Sequence, residues 1–300
     1  MAKRAPVTGS RSPLLHTLGF VVRHPANRRR PIRALLTFAG WQVWKRTTGR
    51  SLTVTFWAGL RIRIYPDNRS ASLALYTGLP EYDDMLFALR LLRPGDCVID
   101  VGANIGLYSL LAASRIGDGR VIALEPDPLT AARLRENTEL NRLRNVEVRV
   151  EAAGAEHGHA RLTTGLDAEN YIVGEGSTAA TTTVLVSALD DLVDPGAQVA
   201  LVKLDVEGFE SEVLRGAGRL LTEGLVMAWI VETSGLGLRY GVEDQTVIEM
   251  FVSRGYHPFH YDSDNGLLQP VAGPTGETGR NLIFVKDAGA VRDRLGSSKT

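Results

Sequence analysis

A glycine turn in this 300-residue chain has the residue types and spacing of a cofactor site. Gly102 and Gly106 bound the turn, which directly follows the apolar run 98–101. Glycine allows a sharp turn and a close backbone approach to a ligand. The helix predicted from Asn104 would expose free N–H groups, which favour a phosphate or carboxylate. Glu125 ends the next apolar run, where an acid can accept both hydroxyls of a ribose. The turn and the acid together predict a nucleotide-like cofactor.

A second group consists of carboxylates at the ends of later apolar runs. Asp205 and Glu207 alternate with Lys203, which would hold them ionised, and Glu232 ends the run 227–231. An alcohol is a poor nucleophile until a base within hydrogen-bond reach takes its proton. We therefore predict Asp205 or Glu207 as a base or acceptor-positioning residue, with Glu232 as a further catalytic candidate.

Two alternatives for these carboxylates stay open. Asp205 and Glu232 could share a divalent ion such as Mg²⁺, because carboxylate oxygens suit that cation, although no third ligand is evident. In the other alternative, Lys203 and Glu207 form a structural ion pair while Glu210 and Glu212 are solvated helix positions. The sequence leaves a metal undecided.

The turn does not match the nicotinamide fingerprint. Gly-x-Gly-x-x-Gly would require glycines at 104 and 107, where the chain has Asn104 and Leu107. A nicotinamide-dependent oxidoreductase is thus only an alternative. The pattern Asp-x-Gly-x-Asn-x-Gly instead resembles motif I of class I methyltransferases that use S-adenosylmethionine, with Glu125 in the motif II position. The cofactor-binding residues that this resemblance implies are Asp100, Gly102, Asn104, Gly106, Glu125 and Pro126.

A second segment resembles one particular methyltransferase family. Residues 201–217 look like the Lys-x-Asp-Val-Glu-Gly-x-Glu-x-x-Val-Leu-x-Gly-Ala signature of the FkbM family, and segments 187–192 and 281–285 also fit. The resemblance covers about residues 80–287. It implies transfer of a methyl group from S-adenosylmethionine to a hydroxyl of a carbohydrate, glycolipid or secondary-metabolite acceptor.

Alternating elements must position both groups. Strands are predicted at 97–101, 120–125, 145–151, 199–205 and 227–232, with helices at 104–116, 128–142, 208–222 and 243–254. This alternation predicts an α/β fold with a mostly parallel, Rossmann-like sheet and helices on both faces. The pair 256–261 and 281–286 predicts a terminal hairpin with the antiparallel edge strand typical of class I methyltransferases. Ligands bind beyond the carboxyl ends of such strands, so Gly102, Glu125, Asp205 and Glu232 should line one crevice.

Outside this region we predict a hairpin at 51–65, a polar turn at 67–78 and a helix at 82–92. The Gly, Thr and Ser-rich stretch 163–180 is interpreted as a lid, an acceptor loop or an insertion. The predicted organisation is an N-terminal extension (1–50), a hairpin and helix packing on the main domain (51–93), a methyltransferase domain (94–288) and a tail (289–300).

Charge is distributed unevenly along the chain. Residues 1–50 contain eleven Lys or Arg and no acid, although the whole chain is neutral. Residues 1–13 are expected to be disordered, and 14–23 and 31–46 to be amphipathic helices. We favour these as a cap on the main domain. The alternative is peripheral contact with an anionic membrane through residues 14–48, which in a non-enzymatic interpretation makes the chain a cofactor-binding module at a membrane surface. No nucleic-acid partner is expected, because no recognised module accompanies the charge.

Cysteine content and hydropathy suggest a compartment. Cys97 is the single cysteine, so no internal disulfide can form. No run of eighteen apolar residues occurs, and no secretory signal is evident. We expect a cytoplasmic protein, peripheral at the inner membrane face if the membrane alternative holds.

Overall fold

A computed structural model describes residues 13–166, 169–174, 177–271 and 280–296, so that nearly all of the predicted disordered segment lies outside the described residues. The strands are β1 (Leu52–Trp57), β2 (Leu60–Ile64), β3 (Cys97–Val101), β4 (Arg120–Leu124), β5 (Val146–Arg149), β6 (Glu151–Ala153), β7 (Gly158–Thr163), β8 (Ile172–Val173), β9 (Thr181–Ser187), β10 (Val199–Leu204), β11 (Val226–Thr233), β12 (His257–Asp262), β13 (Leu267–Pro270) and β14 (Arg280–Val285).

The helices are α1 (Pro13–Arg23), α2 (Pro31–Thr47), α3 (Arg69–Thr77), α4 (Tyr82–Leu91), α5 (Leu107–Ile116), α6 (Pro128–Leu140), α7 (Glu210–Arg215), α8 (Gly218–Thr222), α9 (Asp244–Val252) and α10 (Ala288–Gly296). Within the described ranges, no helix combines the length and the apolar character needed to cross a bilayer.

An eight-stranded sheet forms the centre of the fold, in the order β13-β12-β14-β11-β10-β3-β4-β5. β10 lies between β3 and β11, parallel to both, and all six of its residues are buried, as expected for a strand covered on both faces. β14 and β13 run opposite to the other six strands of this sheet, so the pairs β11–β14, β14–β12 and β12–β13 are antiparallel. The predicted fold class, mostly parallel with an antiparallel edge strand and helices on both faces, is confirmed.

The antiparallel end of the sheet differs in detail from the prediction. The strands expected at 256–261 and 281–286 do pair, but β14 lies inside the sheet, between β11 and β12. The edge strand at this end is β13, which lies between the two strands of the predicted hairpin along the chain. Phe284 of β14 stacks on Phe251 of α9, with ring centroids 4.1 Å apart, which explains why β14 is buried rather than exposed at an edge.

Three local predictions were wrong. Residues 67–78 are not a polar turn: they contain α3, whose first turn is capped by Asn68, with Oδ1 accepting from Ala71 N at 2.7 Å. The helix predicted at 208–222 divides into α7 and α8 near Gly216, where a Cβ would lie 2.0 Å from the Gly154 carbonyl oxygen. The strand predicted at 145–151 also divides, and β6 joins a second sheet, β6-β9-β7-β8.

The described residues before β3 pack on the main sheet. α1, α2 and the β1-β2 hairpin contribute Val21, Trp41 and Ile62 to the apolar core that also contains Phe87 of α4 and Leu110 of α5. At the other end, α10 covers much of the stretch predicted as a tail and packs against α4. The domain boundaries at 50, 93 and 288 stay a prediction.

Candidate active site

A cleft with a cavity volume of about 220 Å³ opens at the carboxyl ends of β3, β4, β10 and β11. Of the nine residues predicted for the site, eight line it: Asp100, Gly102, Asn104, Glu125, Pro126, Asp205, Glu207 and Glu232. The structure therefore brings together the two groups that are about a hundred residues apart in sequence. Gly106 is not in the cleft wall.

The glycine turn connects the two halves of this site. Gly102 has φ +76°, and a Cβ there would lie 1.8 Å from the backbone oxygen of Asp205. The Asp205 amide in turn donates to the carbonyl of Val101 at 3.1 Å. Only glycine fits where the ends of β3 and β10 come this close. The close approach that the structure shows at Gly102 is thus to the strand carrying Asp205.

Gly106 has a packing role. Its φ is +95°, and a Cβ would lie 2.1 Å from Cδ1 of Leu134 on α6. With Asn104 also left-handed at φ +51°, α5 begins at Leu107 rather than at the predicted position 104. Gly106 allows α5 to pack closely on α6, and its direct contact with a cofactor stays a prediction.

Glu125 is buried in the cleft wall. Its Oε2 accepts from the backbone N–H of Asn104, and Oε1 from that of Asp127, both at 2.9 Å. Burial raises the pKa of Glu125 to about 7, although both backbone hydrogen bonds act to lower it. Each carboxylate oxygen has a second lone pair, so the group can still accept hydrogen bonds from a ligand's hydroxyls. This geometry suits a bound ribose.

Asp100 is the other buried carboxylate of the cofactor half. It is only 2% exposed, and Oδ2 accepts from the Ser109 hydroxyl of α5 at 2.5 Å. Burial raises the pKa of Asp100 to about 6. The residue joins the end of β3 to α5 and so supports the turn between them.

Lys203 is a buried cation at the centre of the catalytic half. Its Nζ lies 3.3 Å from Asp205 Oδ2, 3.7 Å from Glu81 Oε2 and 3.4 Å from Asn281 Oδ1. Burial alone would lower the pKa of Lys203, but the surrounding carboxylates raise it overall, led by Asp205 and Glu81. Lys203 stays protonated as a result. Its ion pairs are not with Glu207, so the alternative of a structural Lys203–Glu207 pair is not supported.

Asp205, Glu207 and Glu232 form one acidic cluster. Each offers a carboxylate oxygen, and these three oxygens lie within 4.8 Å of one another. Burial, and then the Asp205 charge, raises the pKa of Glu207 to about 7. The same two causes raise the pKa of Glu232, whose Oε2 is buried without a hydrogen-bond partner among the described residues. The cluster therefore pairs an acid that holds its proton with the lysine-paired carboxylate of Asp205.

Glu210 stabilises the turn after β10, which carries Glu207 of this cluster. It is 4% exposed, which contradicts a solvated helix position, and Oε1 accepts from the amides of Val206 and Gly208 at 3.2 Å. These bonds hold the loop in which Glu207 has the left-handed φ of +56°. Such a conformation is costly for a non-glycine residue and is typical of functional sites.

Sequence reasoning missed a group of residues that surround Lys203. Tyr108 Oη donates to Glu81 Oε2 at 2.8 Å, and Asn281 donates to both Glu81 and Asp84. Burial, and then the nearby Glu81 charge, raises the pKa of Asp84 to about 7. The available signals were Asn281, inside a segment that fits the family, and the acids at the start of α4.

The stretch interpreted as a lid, an acceptor loop or an insertion contributes to the cleft. Asn170, Tyr171 and Ile172 line it. The Arg239 guanidinium lies 3.8 Å from the Tyr171 ring centroid, and Tyr240 Oη donates to the Ile172 carbonyl at 2.7 Å. These contacts hold the described part of the stretch against the cleft.

A larger groove of about 970 Å³ meets the cleft at Glu81, Asp205 and Glu232. Its walls come from α1, the start of α4, β12 and β13. Seven carboxylates and one arginine line it, together with aromatic side chains. Its lining includes Phe20, His24, Arg28, Tyr82, Asp83, Asp84, His260, Tyr261, Asp262 and Asp264. The acidic cluster thus lies where the two cavities meet.

Comparisons with known proteins identify similar methyltransferases. Residues 100–258 match the model of the Methyltransferase FkbM domain. The chain is 48% identical over 52 residues to the 31-O-demethyl-FK506 methyltransferase FkbM of Streptomyces tacrolimicus (17% of this chain, 21% of that protein). It is 29% identical over 140 residues to the hexuronic acid methyltransferase AglP of Haloferax volcanii (45% and 56%).

A third relative is the ribosomal protein L11 methyltransferase of Chloroflexus aurantiacus, 36% identical over 73 residues (23% of this chain, 22% of that protein). The chain thus spans between about a fifth and just over half the length of these three relatives. The domain match covers more than half of the chain, and it includes both the glycine turn and the acidic cluster. The chain belongs to the FkbM family of methyltransferases, within the class I fold of S-adenosylmethionine-dependent enzymes.

Proposed function

We propose that the protein is an S-adenosylmethionine-dependent O-methyltransferase that acts on a neutral, hydroxyl-rich acceptor such as a carbohydrate, a glycolipid or a polyhydroxylated secondary metabolite. One observation carries the proposal. A cleft suited to the cofactor and a larger groove suited to an acceptor meet at Asp205 and Glu232.

The cofactor half fits S-adenosylmethionine through its polar wall. Glu125 would accept the ribose hydroxyls with its remaining lone pairs, while Asn104 and Asp100 lie along the same wall. When bound, S-adenosylmethionine would supply a methyl group on a cationic sulfur: the acceptor oxygen would bond to the methyl carbon as the carbon–sulfur bond breaks, leaving a neutral thioether, and the hydroxyl proton would pass to a base. Holding the reactants in line can contribute about 7–11 kcal/mol to such a reaction.

Asp205 is the base in this proposal. Its Oδ2 lies 3.3 Å from Lys203 Nζ, and a carboxylate in this place can take the proton from an acceptor hydroxyl. Glu232, whose pKa is raised, keeps its proton and can donate a hydrogen bond to an acceptor oxygen. Glu207 lies across the cluster and helps to position the acceptor. A base placed in this way contributes about 10²–10⁴-fold to the rate.

The groove lining supports the acceptor class. Carboxylates accept hydrogen bonds from sugar hydroxyls, and rings such as Tyr82 offer apolar faces to a sugar. Besides Glu232, which keeps its proton, six acids line the groove with Arg28, and Arg28 is itself paired with Asp264 at 3.3 Å. This excess of acids disfavours anionic acceptors. Two relatives are named for hexuronic acid and FK506, which agrees with a carbohydrate or secondary-metabolite acceptor. Within that class, the charge favours neutral hydroxyl compounds over uronates.

A divalent metal remains a second proposal for the same cluster. Three carboxylate oxygens within 4.8 Å of one another could ligate Mg²⁺ between Asp205 and Glu232. The ammonium of Lys203 already balances part of this negative charge, which favours the metal-free form. Methyl transfer that persists in EDTA would refute a required metal. Loss of transfer in EDTA, with recovery on adding Mg²⁺, would establish it.

The cofactor and acceptor are tested separately. Calorimetric titration with S-adenosylmethionine and with NAD separates a methyltransferase from an oxidoreductase, and binding of NAD alone would overturn the proposal. Transfer of labelled methyl groups is then measured with neutral sugars and with matched uronic acids. We expect label in the neutral sugars, whereas a clear preference for uronic acids would contradict the charge argument.

A further inference from the structure

The outward side of α2 carries an apolar stripe that the described structure leaves uncovered. The stripe consists of Ile32, Leu36 and Val43, which are 72%, 68% and 61% exposed. At about 100° per residue these three positions fall on one side of the helix. The opposite side is held inward by Trp41, which is 2% exposed and donates from Nε1 to Ser72 Oγ at 3.0 Å. α2 is thus anchored by one face and presents a second apolar face outward.

The apolar stripe lies in the most basic part of the chain. Residues 13–50 contain eight Arg or Lys and no acid. Arg33 and Arg46 flank the stripe on its two sides, and Arg29 and Arg30 are exposed just before α2 begins. The uncovered apolar stripe and the cations beside it are complementary to a surface whose outer layer is negatively charged and whose interior is apolar.

We propose that α2 docks on an anionic lipid bilayer, with the apolar stripe entering the boundary between headgroups and acyl chains and the arginines contacting the headgroups. Interfacial helices combine these two features, and cations gain from the negative surface potential of the bilayer. A second copy of the chain fits the stripe less well, because it would bring two sets of like charges together. α1, which packs against α2, also supplies Phe20 to the wall of the larger groove.

The test measures sedimentation of the full chain with phosphatidylcholine vesicles that contain or lack phosphatidylglycerol. We expect binding only to the anionic vesicles, with loss at high salt. Combined Ile32→Ser, Leu36→Ser and Val43→Ser should weaken binding at least about tenfold. The matched control is Leu129→Ser with Leu238→Ser, two residues 59% and 63% exposed elsewhere, and it should bind as the wild type does.

A charge variant separates the two contributions. Combined Arg29→Gln, Arg30→Gln and Arg33→Gln should weaken binding about a hundredfold at low salt. Exposed arginines of another surface, Arg142→Gln and Arg144→Gln, serve as its control. Absent binding, equal binding to both vesicle types, or equal losses in the controls would overturn the proposal. So would a dimer in light scattering that the serine variant dissociates, because a second copy would then cover the stripe.

Discussion

Replacing Glu125 with Gln changes one oxygen of a carboxylate that accepts hydrogen bonds from the backbone and, in our proposal, from the ribose of the cofactor. In the structure its oxygens accept from the amides of Asn104 and Asp127, both at 2.9 Å. Glutamine keeps one acceptor and places an NH₂ group against the other backbone donor. Leaving a buried donor unsatisfied costs about 1–3 kcal/mol, so we expect the free energy of unfolding to fall by that amount.

The cofactor should be affected separately. Hydrogen bonds to a charged group contribute about 1.5–3 kcal/mol, and Glu125→Gln would lose one such bond to a ribose hydroxyl. The dissociation constant for S-adenosylmethionine should therefore rise about ten- to a hundredfold. Titration calorimetry measures this value, and urea unfolding measures the stability of the same sample.

A neighbouring residue provides the control. Asp127 Oδ2 accepts from Thr130 N at 2.8 Å and caps α6, but Asp127 does not line the cleft. Asp127→Ala should lower stability by about 1 kcal/mol through the lost cap and leave cofactor affinity nearly unchanged. Unchanged affinity in Glu125→Gln, or an equal loss of affinity in Asp127→Ala, would refute the assignment of Glu125 to the ribose.

Three further predictions concern the same region. The pKa of Glu125 is raised to about 7, and the proposed contact with the ribose uses the ionised group. Affinity for S-adenosylmethionine, measured by calorimetry, should therefore fall as the pH drops below 7, by up to about tenfold per pH unit, whereas Glu125→Gln should show no such slope. Gly102→Ala should lower the free energy of unfolding in urea by at least about 1–2 kcal/mol, because alanine would have to adopt a left-handed conformation and its Cβ would collide with the Asp205 carbonyl. An unchanged unfolding midpoint would contradict the close approach of Gly102 to Asp205. Lys203→Met should lower the free energy of unfolding by about 3–5 kcal/mol near pH 8 and by less near pH 5, where carboxylates left without the lysine can take up protons. A loss of stability that does not depend on pH would argue against buried ion pairs.

The central part of the fold could be predicted because the apolar runs and the turns that follow them indicate the same strands. β3 and β10 are short apolar runs followed by a turn, and their pattern indicates strands buried on both faces. The antiparallel end could not be read in the same way. Placing β14 inside the sheet depends on packing such as the Phe284–Phe251 stack, which joins residues distant in sequence.

α3 was missed for a local reason. Its first turn contains Asn68, Arg69 and Ser70, residues that are common in turns, and the interpretation as a turn ignored Asn68 as a helix cap. α3 buries Ala71, Ala74 and Tyr76 together with the polar Ser72 and Thr77, and such small or polar side chains give a weak apolar period. The helix is stabilised mainly by contacts with α2 and the β1-β2 hairpin.

The site was predicted to the extent that motifs mark it. Strand ends place Asp205 and Glu232 together by topology alone, and the structure confirms that they line one crevice with Gly102 and Glu125. The network of Glu81, Asp84 and Asn281 has no such spacing, because its members meet only where the start of α4 is hydrogen-bonded to Asn281 of β14. The left-handed conformation of Glu207 was equally hidden, because nothing in its residue type suggests it.

The most direct test of the central claim is methyl transfer by Asp205→Asn, measured beside its affinity for the cofactor. With labelled S-adenosylmethionine and a neutral sugar acceptor, we predict transfer by the wild type. In the variant, we predict a rate about 10²–10⁴-fold lower with a nearly unchanged dissociation constant for the cofactor. A near-normal rate in Asp205→Asn would contradict the claim that Asp205 is the base where the cleft and the groove meet.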